Sequence, residues 1–370
     1  MVREENKDSE IIEHGDLFFF YRPKIDSAEV QELADVGRFY MVTSTEQNQK
    51  TTTTKGHIHR LFLLGQKHLP EIVEGKSTSR ERNWALNILT TSKPEDVHKE
   101  LLPAEYDTET RGKRRIKAAT PAGEGKYSIV KHDNHTELAY ILELPEIPGP
   151  TQREFEIKKE ASYIISVKNP DIQVPGFAAF SAPENKPDYP KHLKEMFGDR
   201  RWINVQDPNL LNYENTQLLL IGARRKDVEE ELGVDIDEEK ESQRSADLFA
   251  ELKVKREQVP LKPIFEGKFP SKEEVPVAAE VKHLGKEEYP GGKGGKIGGK
   301  TAARKAASAA AIAKVLSGID FPKKKEEVIA YARKNKQKVK AEDVFKTINE
   351  IPARTYHTMA EVEKALGEIR

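Results

Sequence analysis

The sequence predicts an α+β protein: an antiparallel or mixed sheet domain with short helices, then a small separate three-helix domain at the C-terminus. Two observations carry this expectation. Strand-like runs follow one another through the first 225 residues without long helical crossovers, which favours antiparallel pairing. After residue 300 the apolar residues switch to helical spacing, as in Val362, Ala365, Leu366 and Ile369.

The strand-like runs are Leu17–Tyr21, Arg38–Thr43, His59–Leu64, Lys126–Val130, Leu138–Leu142, Ser162–Val167 and Gln217–Ile221. Each is rich in β-branched and aromatic residues and bounded by Gly, Pro, Asn or Asp. The segment from Lys131 to His135 joins two of them and reads as a hairpin connection. Helices are expected at Ser27–Leu33, from Pro94, at Pro190–Phe197, at Asp227–Leu232 and at Ser245–Lys255. Proline and acids suit the first turn of the second, and Gly198 and Gly233 supply stops for the third and fourth.

Composition divides the chain further. Hydrophobic residues make up 36% and charged residues 33%, a poorer core and a richer surface than the usual ~45–50% and ~25%. Residues 1–10 read as a flexible N-terminus, 11–255 as the α+β domain and 256–300 as a Pro/Gly/Lys-rich linker. The linker ends in a run whose glycines lose too much backbone entropy on folding to hold one structure. Residues 301–317 form an alanine-rich helix by propensity, and 318–370 form the small helical domain. Within that domain Val328, Ile329 and Ala332 face inward from a first helix, and Val344, Phe345 and Ile348 from a second. A third starts at Thr358, with Glu361 completing a capping box.

Two stretches resemble known families. Val315–Gly367, with Gly318-x-Asp320-Phe321-Pro322, the Ile351-Pro352 stop, Tyr356 and the closing Glu361-Val362 and Ala365-Leu366, resembles a small bacterial and archaeal domain family of unknown function. The segments GDLFFFYRPKI, DVGRFYMV, ELAYILELPEIPGP, ASYIISVKNP and NTQLLLIGAR resemble a second, uncharacterised family. Neither resemblance implies a catalytic residue or a ligand.

The chain has no cysteine, which excludes disulfides, thiolate metal sites and a cysteine nucleophile. Its charged start lacks the apolar core of a signal peptide, and no apolar run approaches the ~20 residues that cross a bilayer. The expectation is a cytoplasmic protein with no membrane association. Glu74-Gly75-Lys76-Ser77-Thr78 is similar to the end of a phosphate-binding loop, but Pro70 stands where that motif needs a glycine amide. The close histidine pairs, His57/His59 and His132/His135, lack further ligands at metal-site spacing, although Asp133, Glu137 and His68 lie within sequence reach. No nucleophile elbow and no dinucleotide-binding fingerprint occur. No cofactor, metal or catalytic residue is assigned. Arg111–Arg115 and Arg200-Arg201-Trp202 are basic clusters that could meet phosphate or stack on a base, against the simpler reading of a solvated loop and a strand entry.

The uneven charge carries the functional expectation. Net charge is only −1, but residues 227–290 hold 18 acids and 10 bases, and residues 291–340 hold 14 bases and 3 acids. The candidate nucleic-acid contacts are Lys293, Lys296, Lys300, Arg304, Lys305, Lys323, Lys324, Lys325, Arg333 and Lys334. The leading expectation is a non-enzymatic binding protein whose large domain takes a protein partner and whose tethered basic module contacts nucleic acid. The alternatives are an enzyme with a site in a cleft of the α+β domain, and a structural scaffold whose basic arm docks on its own acidic stretch. Limited proteolysis should cut first between about residues 285 and 300, where glycine is densest. A first cut within 126–167 would refute this domain division.

Overall fold

The computed structural model describes residues 9–25, 30–45, 57–72, 82–108, 112–132, 135–172, 186–224, 228–236, 238, 240–276, 281–284, 316, 319–335, 348–349, 352–356, 361–362 and 365. They belong to two compact units, Met1–Pro290 and Gly291–Arg370.

The first unit is a closed antiparallel β-barrel, which corrects the α+β expectation. Its eight staves are β1 (Ser9–Pro23), β2 (Val36–Thr45), β3 (His59–Leu64), β4 (Arg82–Thr91), β7 (Thr120–His132), β8 (His135–Leu144), β9 (Glu160–Lys168) and β11 (Gln217–Arg224). They run in the spatial order β9-β11-β4-β3-β2-β1-β7-β8, and β8 pairs back onto β9. Seven of these staves contain the seven strand-like runs of the sequence. The eighth, β4, reads RNWALNILTT, where Asn83 and Asn87 interrupt the apolar alternation. Without it the strands have no closing geometry, and an open sheet with helices is the natural inference. Both asparagines are buried and bonded: Asn83 Oδ1 accepts from the Gln66 amide at 3.1 Å, and Asn87 Nδ2 donates to the Leu211 carbonyl at 2.8 Å.

Among the described residues of this unit helices are few and short. They are α1 (Pro94–Leu101), α2 (Pro150–Glu154), α3 (Lys191–Phe197), α4 (Val228–Leu232), α5 (Asp247–Glu251) and α6 (Lys262–Glu266). A three-stranded sheet of β5 (Ala104–Thr108), β6 (Gly112–Ile116) and β12 (Lys282–Leu284) lies apart from the barrel sheet, and β10 (Trp202–Asn204) extends β9. The expected helix at Ser27–Leu33 is absent from its described part: residues 30–32 are not helical and Leu33–Asp35 is a 3₁₀ turn, while residues 27–29 lie outside the described residues. Residues 256–276, in the stretch read as linker, pack on the barrel, burying Val259 and Ile264 against Phe18 and Phe20. Gly267 ends α6 in the left-handed region at φ +65, as a C-terminal glycine does.

Strand β1 shows why the run LFFFY is apolar without alternation. Leu17, Phe19 and Tyr21 face one cluster with Phe39, Met41, Phe62, Tyr140 and Tyr163 from other staves, the barrel interior. Phe18 and Phe20 face outward beneath Val97 and Leu101 of α1, Leu248 of α5 and Ile264 of α6. A strand covered on both faces needs apolar residues at every position. Each such side chain contributes about 1.5–3 kcal/mol through burial. On another outer face α4 lays Val228 and Leu232 on Val130, Ala139 and Ile141.

Rings fill one end of the barrel: Phe155, after α2, stacks on Phe39 at 4.7 Å and on Tyr21 at 5.1 Å. Charge fills the other end. The Arg60 guanidinium, 1% exposed, forks onto both oxygens of Glu13 at 2.6 and 2.7 Å, and its Nε donates to Asn212 at 2.7 Å. The Tyr127 hydroxyl donates to the same Glu13 at 2.8 Å. A bidentate pair whose Nε is also engaged recovers much of the large cost of removing charge from water. Breaking one side leaves a buried charge alone. Glu13→Ala should therefore destabilise the chain by about 3–5 kcal/mol in urea unfolding, whereas Glu13→Leu combined with Arg60→Met should cost much less. Equal losses in both variants would show that the pair is not the source of the penalty.

Candidate functional site

The second unit holds those candidate bases whose placement is described. β13 (Lys323–Lys324) pairs antiparallel with β14 (Thr355–Tyr356), a small sheet that helical spacing does not announce. The helix α7 (Lys325–Lys334) follows, and buries Val328 and Ala332 against Leu316, Ile348, Tyr356, Val362 and Ala365. Glu327 caps it, accepting the Lys324 amide at 2.8 Å, while the Lys323 ammonium lies 3.4 Å from the same carboxylate. Lys324, Arg333 and Lys334 are exposed, the last two in the final helical turn, where cations suit the dipole. Arg354 lies over the Tyr356 ring at 5.2 Å. The described part of this unit has six bases and four acids. Most of the basic excess therefore belongs to Lys293, Lys296, Lys300, Arg304, Lys305 and the lysines after Asn335, all outside the described residues. The Thr358 cap lies outside them too.

In the first unit the sequence-level clusters take structural roles. Trp202 packs on Trp84 at 5.1 Å, and Arg200 donates to the Met196 carbonyl at 2.7 Å, closing α3. Arg114 and Arg115 stand on β6, where Arg115 faces Glu105 at 3.9 Å. His59 is buried with its Nδ1 2.7 Å from Ser44 Oγ; burial, helped by the charge of His57, pushes its pKa down to about 4, so the ring is neutral at pH 7. His132 and His135 meet edge to face across the hairpin, and His135 Nε2 lies 2.8 Å from Glu137. Among the described residues no group of three His, Asp or Glu side chains could hold a metal. The phosphate-loop-like residues 74–78 lie outside the described residues.

Two arrangements escaped sequence reasoning because they depend on register between distant strands. The first is a buried carboxyl–ammonium group on the outer wall. Lys126 reaches Asp16 at 2.7 Å and Asp247 at 3.0 Å. Burial works against its charge, but the two carboxylates outweigh it and hold the ammonium above the ordinary lysine range. Two residues along β7, the fully buried Glu124 receives the amides of Asp247 and Leu248 at 2.8 and 2.9 Å, at the start of α5. Burial dominates there and raises its pKa to about 8, with Asp247 and Glu241 adding to the rise.

The second arrangement is a basic cavity of about 160 Å³ at the end of the β1–β2 ladder, lined by Arg22, Pro23, Lys24, Ile25, Gly37, Arg38, Tyr40 and Ile116. Arg22 follows Phe18 and Phe20 on the outer face and is buried. Its guanidinium donates to the carbonyls of Leu102 at 3.1 Å, Lys117 at 2.5 Å and Glu100, closing the C-terminal end of α1. The only sequence signal for the cavity is a pair of arginines at the ends of aromatic strands, in Tyr21-Arg22-Pro23-Lys24 and Gly37-Arg38-Phe39.

A family model described as a protein of unknown function (DUF2795) matches residues 307–363. The match supports a small C-terminal domain of unknown function and leaves the resemblance drawn from the barrel segments unconfirmed. No curated protein and no solved structure gives a match to the chain. Among the described residues no helix is long and apolar enough to cross a membrane.

Glu124 gives a pH signature. A carboxyl near 4.5 when unfolded and near 8 when folded binds its proton more tightly in the native state. Its contribution to stability is full below about 4.5 and is lost as pH rises through 8, at up to about 1.4 kcal/mol per pH unit. Glu124→Gln should flatten the decline between pH 5 and 8 in urea titrations. An unchanged slope would place the titrating group elsewhere.

Proposed function

We propose that this chain is a non-enzymatic binding protein: the barrel is a rigid scaffold for a protein partner, and the C-terminal module contacts nucleic-acid phosphates. The observation that carries the reading is the charge of residues 291–340, 14 bases against 3 acids. Such a field attracts a polyanion by releasing its condensed counterions, and needs no base-specific pocket. Few aromatics accompany the bases in this stretch, so contacts go to the backbone rather than to stacked bases. The exposure of Lys324, Arg333 and Lys334 supports the reading. The barrel supports the scaffold role, because its interior is filled by rings and by the Arg60–Glu13 pair.

Fluorescence anisotropy of the full-length chain with a labelled duplex tests this directly. Binding should weaken steeply from low to physiological salt, with a log–log slope of about −0.9 per phosphate neutralised. A chain ending at Pro290 should not bind, and Lys324→Gln with Arg333→Gln and Lys334→Gln should flatten the slope. No binding at low salt, or full retention by the truncated chain, would remove nucleic acid as the ligand of this module.

A further inference from the structure

We propose that the one-turn helix α5 (Asp247–Glu251) is a proton-gated strap: it closes over Phe18 on the outer wall of the barrel while Glu124 keeps its proton, and opens locally when that proton leaves. The strap lies on the barrel and is independent of the nucleic-acid reading of the C-terminal unit.

A helix of five residues has little stability of its own. α5 is held by what it covers and by two polar latches from β7. Ala246, Leu248 and Leu252 are buried in one cluster with Phe18 and Phe20. On the β1–β7 ladder Glu124 stands opposite Phe18, and Lys126 stands opposite Asp16. The Glu124 carboxyl receives the amides of Asp247 and Leu248 at 2.8 and 2.9 Å. Lys126 joins Asp247 to Asp16, at 3.0 and 2.7 Å. Both latches therefore meet the first two residues of α5. The flanks suit local bending. Residues 242–245 before the helix are exposed, and Lys253 after it holds φ +55, a left-handed conformation that costs a residue with a Cβ and that opening can release.

The latches crowd carboxyl groups around few cations. Asp247 on α5 and Glu241 on the chain before it lie within electrostatic reach of Glu124, while Lys126 on β7 is shared between Asp16 on β1 and Asp247. The Glu241 Oε2 atom is buried without a hydrogen bond among the described residues. On β8 the direct partner of Glu124 is Leu144, and the adjacent Glu143 is buried as well. The other helices packed on β7 turn their charges elsewhere: on α6, Lys262 to Glu274 and Glu266 to Lys268; on α2, Arg153 to the Pro148 carbonyl and Glu154 to the Leu33 amide. Lys240 and Arg244 are exposed, and Glu251 occupies the far end of α5. An ionised Glu124 would add a further negative charge beside Asp247 in a site that water does not reach. Burial is the largest influence and keeps the proton on Glu124 to about pH 8; Asp247 and Glu241 add to it, against the two amide bonds.

The direction of the gate follows. With the strap open, Glu124 meets water and returns to the ordinary carboxyl value of about 4.5. The closed form thus binds the proton more tightly. Closure is strongest below about pH 4.5 and weakest above about pH 8, and in between the open fraction rises by up to roughly tenfold per pH unit.

Native-state hydrogen exchange of the full-length chain, read at single amides and corrected for the intrinsic exchange rate, tests the strap. Protection at Asp247, Leu248 and Phe249 should fall by roughly a hundredfold between pH 5.5 and 8. Dilute urea should leave exchange at these amides unchanged, because local opening exposes little surface. Amides of the β2–β3 ladder should exchange more slowly and respond to urea, since only global unfolding exposes them. Glu124→Gln should remove the pH dependence at the strap amides, and Glu241→Gln should lower the pH at which their decline levels off. Three results would overturn the proposal: strap protection that does not change with pH, strap amides that match the β2–β3 ladder in both rate and urea response, or a slope that survives in Glu124→Gln. Should Glu124→Gln fail to fold, Glu241→Gln decides, and an unmoved levelling point would count against the gate.

Discussion

The pairing of β8 with β9 is the constraint on which the first unit depends. Residues 137–141 of β8 lie against 160–164 of β9, and this contact joins the two ends of an otherwise linear run of strands. A closed sheet leaves no unpaired edge to recruit another chain, and it fixes which face of every strand is inside. The seam has its own side-chain bond: the buried Glu137 accepts from Ser162 Oγ at 2.5 Å. Beyond residue 165 the same edge of β9 is taken over by β10, through partners Lys168, Val167 and Ser166. Both portions of that edge are thereby covered.

Closure was illegible for a specific reason. Alternation and β-propensity identify a strand when its residues are apolar or β-branched, and seven staves met that test. The eighth carries Asn83 and Asn87, whose buried amides serve turns and loop carbonyls rather than apolar packing. A polar residue that is satisfied only in the folded state looks like a loop residue in the sequence. Missing one stave of eight changes the fold class, since seven strands leave two free edges and invite helices to cover them. The helices from Pro94 and Pro190, by contrast, were legible, because proline, acids and a terminal glycine act locally.

The buried charges obey a common rule. Arg60 with Glu13, Lys126 with Asp16 and Asp247, and Glu124 with the amides of α5 are each engaged by partners distant in sequence. Such groups give little net stability relative to apolar replacements but penalise any register that separates them. A barrel is prone to slip by pairs of residues, which preserves its in/out alternation. Polar contacts spread over β1, β3, β7 and the 208–212 turn would be lost in a slipped register, so they add to the specification of one closed form.

The basic cavity also depends on register. β1 and β2 pair Arg22 with Arg38 and then Pro23 with Val36, so Gly37 is left over as a bulge. A Cβ at position 37 would stand 2.8 Å from the Pro23 carbonyl oxygen, so the two strands approach there only because the residue is glycine. The bulge comes immediately beyond the arginine pair and redirects the chain where the ladder ends. With regular pairing Pro23 would face Gly37, and the strands could not end as they do around Lys24. Neither the bulge nor the opposition of two like charges can be read from either strand alone. Bulges of this kind bend a strand and re-aim the side chains beside them, and here one fixes where the β1–β2 ladder ends.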